Sequence, residues 1–217
     1  MEITIYIDKY KNARYNFFKW RYELDILHKV SLALSFACLT GLLAQFRFYL
    51  PGSPVPITGQ TFAVLLAGIL LGKWGGISQG MYVGIGAMGV PWFAGLNGGI
   101  GYIAGPTGGY IIGFILTAFF LGYFIDKYIR SRSFLSMLAL MLFANFVLIY
   151  VPGLLQLCFF MGTSIGIWEL LMIGMIPFIV GDLVKVVTAA AITKGITPKR
   201  AYNGEVDVKK MKSWHIP

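Results

Sequence analysis

From Phe48 to Ile125 the sequence carries a single fully charged side chain, Lys73. A soluble domain has about a quarter of its residues charged, because charge is what covers its surface. This chain is 12% charged and 57% hydrophobic, which excludes a cytosolic enzyme. Its 17 Phe, 12 Tyr and 5 Trp exclude disorder, since so many apolar rings must be buried somewhere. A net charge of +9 raises the question of nucleic acid. Nucleic-acid binders gather basic groups into a patch on a soluble surface. Here the basic groups punctuate apolar stretches, which is the pattern of a polytopic membrane protein. At 217 residues the length fits one domain or two.

The apolar runs predict an all-α bundle of six transmembrane helices joined by Gly/Pro-rich outer loops. They fall at about 30–48, 60–71, 76–88, 108–124, 134–150 and 168–193. The second and third are short, because a bilayer crossing takes about 20 helical residues. Short helices flanked by glycine can be re-entrant instead.

Lysine and arginine set the orientation. Sixteen of the eighteen fall in residues 1–29, the turn at Lys73, the Asp126–Arg132 turn and the segment after helix six. Such segments are cytoplasmic by the positive-inside rule, so both termini are expected inside. The exceptions are Arg47 and Lys185. Three outer loops, about 49–59, 89–106 and 151–167, hold no Lys or Arg.

This divides the chain into an N-terminal segment 1–29, a membrane domain 30–194 and a cytoplasmic tail 195–217. The first segment has ten charges and no apolar core, so it reads neither as a leader peptide nor as a span. Tyr15, Phe17, Phe18, Trp20 and Tyr22 beside Lys19 and Arg21 suggest an interfacial helix. A disordered basic tail is the alternative. Cys38 and Cys158, the second expected in an outer loop, make no disulfide or metal framework. His28 and His215 lie far apart, and no catalytic constellation or metal-ligand set appears.

Three features carry functional information. Ala33, Ala37 and Gly41 recur every four residues on helix one. Small residues at that spacing admit a second helix, either internal or from a separate subunit, and spacing does not choose. The stretch Gly89–Gly109 combines glycines with Trp92, Phe93, Tyr102 and a single amide, Asn97. It lacks the Lys-Ser/Thr of a phosphate-binding loop, so it reads as a loop folded back to line a cavity. Asp182 and Lys185 lie three residues apart on one face of helix six, which Pro177 is expected to kink. Charges at that depth must face the bundle interior or a wet cavity. Either they pair to fix helix packing, or they form a ligand site. In the first loop, Thr58 is the expected N-cap of helix two.

Four ordered blocks then identify a resemblance. They are Pro54–Thr58 running into Gln60–Gly68, Gly105–Phe114, Tyr150–Gly153, and Gly181–Ala191. Over about Asp25–Lys194 the chain resembles the BioY family, the biotin-specific substrate-capture components of energy-coupling factor (ECF) transporters. The resemblance implies six membrane helices and biotin bound from outside. It also implies partnership with a transmembrane coupling subunit and two ABC-type ATPases that hydrolyse ATP, with no cofactor on this chain and no nucleic acid. By the same resemblance, Asn97 and Asp182 hydrogen-bond the ureido ring and Lys185 meets the valerate carboxylate. The Ala33–Ala37 face corresponds to the docking site for the coupling subunit. Trp92, Phe93, Tyr102 and Tyr150 are candidates for the thiophane ring and alkyl chain. The competing readings are a capture protein for another small anionic vitamin or metabolite, and a membrane-embedded structural or enzymatic subunit.

Overall fold

The computed structural model describes residues 2–162 and 165–208. The expected tail residues Lys209, Lys210, Lys212 and His215 lie outside them. The chain is mostly helical, and four helical runs are long and apolar enough to cross a membrane: Ile26–Gln45, Gly108–Lys127, Phe134–Met161 and Ile167–Ile196.

Helix α1 (Glu2–Glu23) precedes α2 (Ile26–Gln45), whose N-cap Asp25 accepts a hydrogen bond from the His28 N–H. Strands β1 (Arg47–Tyr49) and β2 (Pro56–Thr58) form an antiparallel hairpin, with Pro56 opposite Tyr49. The prolines of that loop stop helix, and with one partner strand each the unpaired edge tolerates Pro56. Helix α3 spans Gln60–Leu71 and α4 Lys73–Ala87. The cap of α3 is Gly59 rather than Thr58, whose Oγ1 instead accepts the Gln60 N–H at 3.4 Å. Between α3 and α4 the chain reverses in one residue, Gly72, at φ 62°. A Cβ there would meet the Asp126 carboxylate at 2.0 Å, so the turn needs glycine for both conformation and space. Helices α5 (Ile100–Ala104) and α6 (Gly108–Lys127) follow.

The next rod differs from the expected one. Helix α7 (Phe134–Phe143) passes through a π-helical turn, Ala144–Ile149, into α8 (Tyr150–Met161). The outer loop expected from residue 151 is therefore helix to Met161, and Cys158 lies on it. Pro152 reads as a breaker in sequence. It falls in the first turn of α8, where a missing N–H costs little, and the wide π turn just before it absorbs the mismatch. The last rod breaks as expected at Pro177: α9 (Ile167–Gly174), a 3₁₀ turn (Ile176–Phe178), then α10 (Ile179–Ile196).

Two buried clusters fill the bundle. One is aromatic-rich, with Tyr82, Phe93, Tyr110, Phe114, Tyr150 and Phe178. The other is aliphatic, with Leu65, Ile69, Leu121, Ile125, Met137, Met141 and Val186. Basic segments distant in sequence converge beyond the aliphatic cluster. Arg21 reaches Asp126 at 2.6 Å, and Arg132, 0% exposed, meets Glu205 at 2.6 Å. Tyr202 lies between Arg21 and Arg132, and burial pushes its phenol up to about 12. Helix α1 docks on the end of α10: Arg14 donates to the carbonyls of Lys194, Ile196 and Thr197, groups the helix itself leaves unpaired.

Ala33 and Ala37 are fully buried, and Gly41 is buried too. Helix α2 packs on α3 and α4, with the Gln79 amide donating to Thr40 at 3.2 Å. A Cβ on Gly41 would lie 3.1 Å from Trp92 Cβ. The small-residue face thus packs inside this chain. Glycine-rich α4 explains why: two helices low in side-chain bulk approach each other closely.

Candidate functional site

The cavity lies at the aromatic end of the bundle, beneath the hairpin and the glycine-rich stretch. Val55, Pro56 and Ile57 of the hairpin form one wall, and Phe114, Ile149 and Phe178 form apolar sides. Ser53 Oγ donates to the Ile173 carbonyl at 2.6 Å, tying the hairpin to α9. The Gln156 amide donates to the carbonyls of Ile103 and Gly105 at 2.6 and 2.7 Å, holding the end of the glycine-rich stretch to α8. The cavity volume is about 60 Å³.

Polar groups concentrate at one point of this wall. Asp182, 4% exposed, accepts from Lys185 Nζ on Oδ1 at 2.9 Å. Its Oδ2 accepts from Tyr150 Oη at 2.6 Å and Asn145 Nδ2 at 3.1 Å. Three helical elements meet here: the π turn supplies Asn145, the start of α8 Tyr150, and α10 both charges. The helical breaks matter to this geometry. The π turn advances Tyr150 relative to a regular helix, and the break at Pro177 starts α10 three residues before Asp182. A carboxylate offers about four lone-pair sites and an ammonium three N–H donors. After these contacts Asp182 Oδ1 retains acceptor capacity, and Lys185 retains two donors.

The other expected residues divide. Tyr102, Tyr150, Asp182 and Lys185 line the cavity. Asn97, Trp92 and Phe93 do not. Asn97 Nδ2 donates to the Ala94 carbonyl at 2.8 Å, closing a tight turn whose Ala94 does reach the cavity. Trp92 Nε1 donates to the Tyr82 carbonyl at 3.0 Å. Phe93 is fully buried and stacks on Tyr102 at 5.1 Å between centroids, backing that wall. The sequence reading missed Asn145, Gln60, Thr61 and Thr107. Each polar atom among apolar neighbours was the available signal. Thr61 Oγ1 is buried without a hydrogen-bond partner and its residue lines the cavity, as does Gln60, whose amide donates to Tyr82 Oη at 2.7 Å.

This geometry suits a small molecule with an apolar body, N–H donors and an anionic end. The family model described as BioY family matches residues 13–202. Similar proteins include the "Probable biotin transporter BioY" of Methanothermobacter thermautotrophicus, 52% identical over 157 residues that cover 70% of this chain and 100% of that one. The "Biotin transporter BioY" of Thermotoga maritima is 41% identical over 144 residues, 66% of this chain and 81% of that one. A solved structure, "Crystal structure at 2.1 A of the S-component for biotin from an ECF-type ABC transporter", superposes with a TM-score of 0.70 at 27% identity. It covers 77% of this chain and 89% of that chain. With its family model spanning all but the two ends of the sequence, this membrane protein belongs to the BioY family.

Proposed function

We propose that this chain captures biotin at the outer face of the cell membrane and serves as the substrate-binding component of an ECF-type transporter. Its role is binding and transport, not catalysis. The observation that carries the reading is the Asp182 cluster, three donors converging on one buried carboxylate in the wall of an otherwise apolar cavity. Biotin has two ureido N–H donors, a ureido carbonyl, an apolar thiophane ring and a carboxylate. Asp182 Oδ1 accepts a ureido N–H, and Lys185 gives its remaining donors to the valerate carboxylate. Thr61 supplies a hydroxyl for the ureido carbonyl, and Tyr102 and Tyr150 flank the rings. Typical small-molecule sites measure about 300–1,000 Å³. The cavity is far smaller, so admission of biotin requires the hairpin and the 91–107 stretch to lift. Asn97 gives up the Ala94 carbonyl in that movement and turns to the ureido group, with Trp92 and Phe93 carrying the loop.

In the membrane we assign six spans, α3 and α4 being the short ones and α9–α10 the last, with both termini cytoplasmic. The convergence of Arg21, Lys73, Asp126 and Arg132 at one end supports that orientation. A coupling subunit and two ABC-type ATPases supply the energy, and ATP is hydrolysed there. Binding of radiolabelled biotin to the detergent-purified protein tests the assignment. Truncating one partner of a buried charged pair costs about 2–5 kcal/mol, so Asp182→Ala should weaken binding on the order of a hundredfold. Trp92→Phe should change it little. Equal small effects would remove Asp182 from the site. Stabilisation by a different anionic vitamin, and none by biotin, would refute the substrate.

A further inference from the structure

A second cavity, of about 330 Å³, lies at the other end of the molecule between α1 and the end of α10. Lys11, Arg14, Lys194, Lys199 and Arg200 line it together with Pro198, and among the described residues no carboxylate does. Arg14 is held by the α10 carbonyls, and Arg200 donates to Asn12 Oδ1 at 3.1 Å. Lys11 makes a long, exposed contact of 3.4 Å with Asp8. The neighbouring acids Glu205 and Asp207 are already committed, to Arg132 and to the N–H groups of Ile129 and Arg130. Among the described residues, five cations are therefore offset by one exposed aspartate and by about half a charge from the C-terminus of α10. Such crowding is unfavourable unless an anion joins it.

We infer that this cavity is a binding site for a phosphate-bearing anion, and that an acidic phospholipid headgroup of the inner leaflet is the source. Two observations favour lipid over free phosphate. Lys194 occupies the last turn of a membrane-crossing run, which puts the cavity at headgroup depth. Helix α1 leaves Ile3, Ile5, Tyr6, Ile7 and Trp20 exposed beside it, groups that partition to a bilayer interface. Basic pockets on the cytoplasmic side of helical membrane proteins have the chemistry to hold such headgroups. The bound lipid would clamp α1 onto α10 through residues that belong to both.

The test compares thermal stability of the full chain in nanodiscs of phosphatidylcholine alone, in the same discs with phosphatidylglycerol, and in phosphatidylcholine with inorganic phosphate. Phosphatidylglycerol should raise the melting temperature. Its apparent affinity should fall about fivefold per lysine lost near the surface, hence about thirtyfold for Lys11→Gln with Lys199→Gln. Both side chains are exposed and outside the biotin cavity, so biotin binding should be unchanged and reports that the variant has folded. Lys127→Gln, a basic residue outside this cavity, should retain the full shift. Phosphate reproducing the shift without acidic lipid would overturn the lipid source. An equal loss with Lys127→Gln would show diffuse surface attraction and overturn the site itself.

Discussion

Asp182 and Lys185 pair with each other, as one sequence reading expects, and the ligand-site reading rests on the same two side chains, which line a cavity. What makes the two readings compatible is unused capacity, because neither side chain spends all its hydrogen bonds inside the protein. Lys185 is 20% exposed and lines the cavity while Asp182 is almost fully enclosed, so the lysine is the more accessible of the two to a ligand anion. A prediction follows from the charge alone. A hydrogen bond to a charged group contributes about 1.5–3 kcal/mol, so wild-type protein should prefer biotin over its neutral amide by about tenfold or more. In Lys185→Gln that preference should collapse while amide binding persists. Competition of the two ligands against labelled biotin measures it, and an undiminished preference would detach Lys185 from the carboxylate. These two charges were legible because ionisable groups inside apolar spans are rare and must be accounted for. Asn145 was not, because a single neutral amide in a run such as Phe143-Ala-Asn-Phe-Val reads as an apolar helix with one polar packing contact. Only the fold shows its amide turned to Asp182. Asn97 illustrates the opposite limit: it stands out as the single amide of its stretch, but the backbone carbonyl it binds could not be foreseen from spacing.

At the scale of elements, apolar periodicity located the helices and misjudged where they end. Helix α3 occupies the residues its apolar run marked out, since Gly59 and Gly72 bracket it. The α7–α8 rod runs past its expected end because Pro152 sits where a helix tolerates it, a fact that depends on the preceding π turn. Small residues were legible as a close-packing signal, but their partner was not: the Ala33–Gly41 face meets α4 and Trp92 of its own chain. The same close packing supports the site. Gly113 of α6 faces the π turn so closely that a Cβ would stand 2.6 Å from the Leu148 carbonyl and 2.7 Å from Ile149 Cα. Both contacts are with backbone, so α6 and the rod would have to separate. Gly113→Ala should therefore cost about 1–3 kcal/mol, the range for overpacking a close-packed interior, and lower the melting temperature. It should also weaken biotin binding, because the strand of backbone it displaces carries Asn145 and Tyr150. A stability loss with unaltered biotin affinity would show that the π turn does not position the site.

The whole molecule is asymmetric along its long axis. The end with the cavity is aromatic and polar; the other half is closed by Leu65, Ile69, Leu121, Ile125, Met137 and Met141, all fully buried. Beyond them, Arg21–Asp126, Arg132–Glu205 and the Asp207 bonds to Ile129 and Arg130 knit the basic segments together. Breaking one such buried pair by removing a partner costs about 3–5 kcal/mol, so this end resists opening. Among the described residues that half is filled by packed aliphatic side chains, and polar ligands do not cross a packed aliphatic core. Nor is there a second carboxylate at depth, among the described residues of the spans, to drive alternating access with protons. On the proposed function, release to the cytoplasm then requires the protein to move as a body, with the work done by the coupling subunit and ATPases. Proteoliposomes separate the possibilities. The chain alone should hold labelled biotin only up to one per protein, however long the incubation. Adding the coupling subunit and ATPases with internal ATP should give continuing uptake, and Asp182→Ala should abolish it. Steady accumulation in an exchange assay by the chain alone would mean that the aliphatic half opens unaided, and the asymmetry would then describe one state of a self-sufficient carrier.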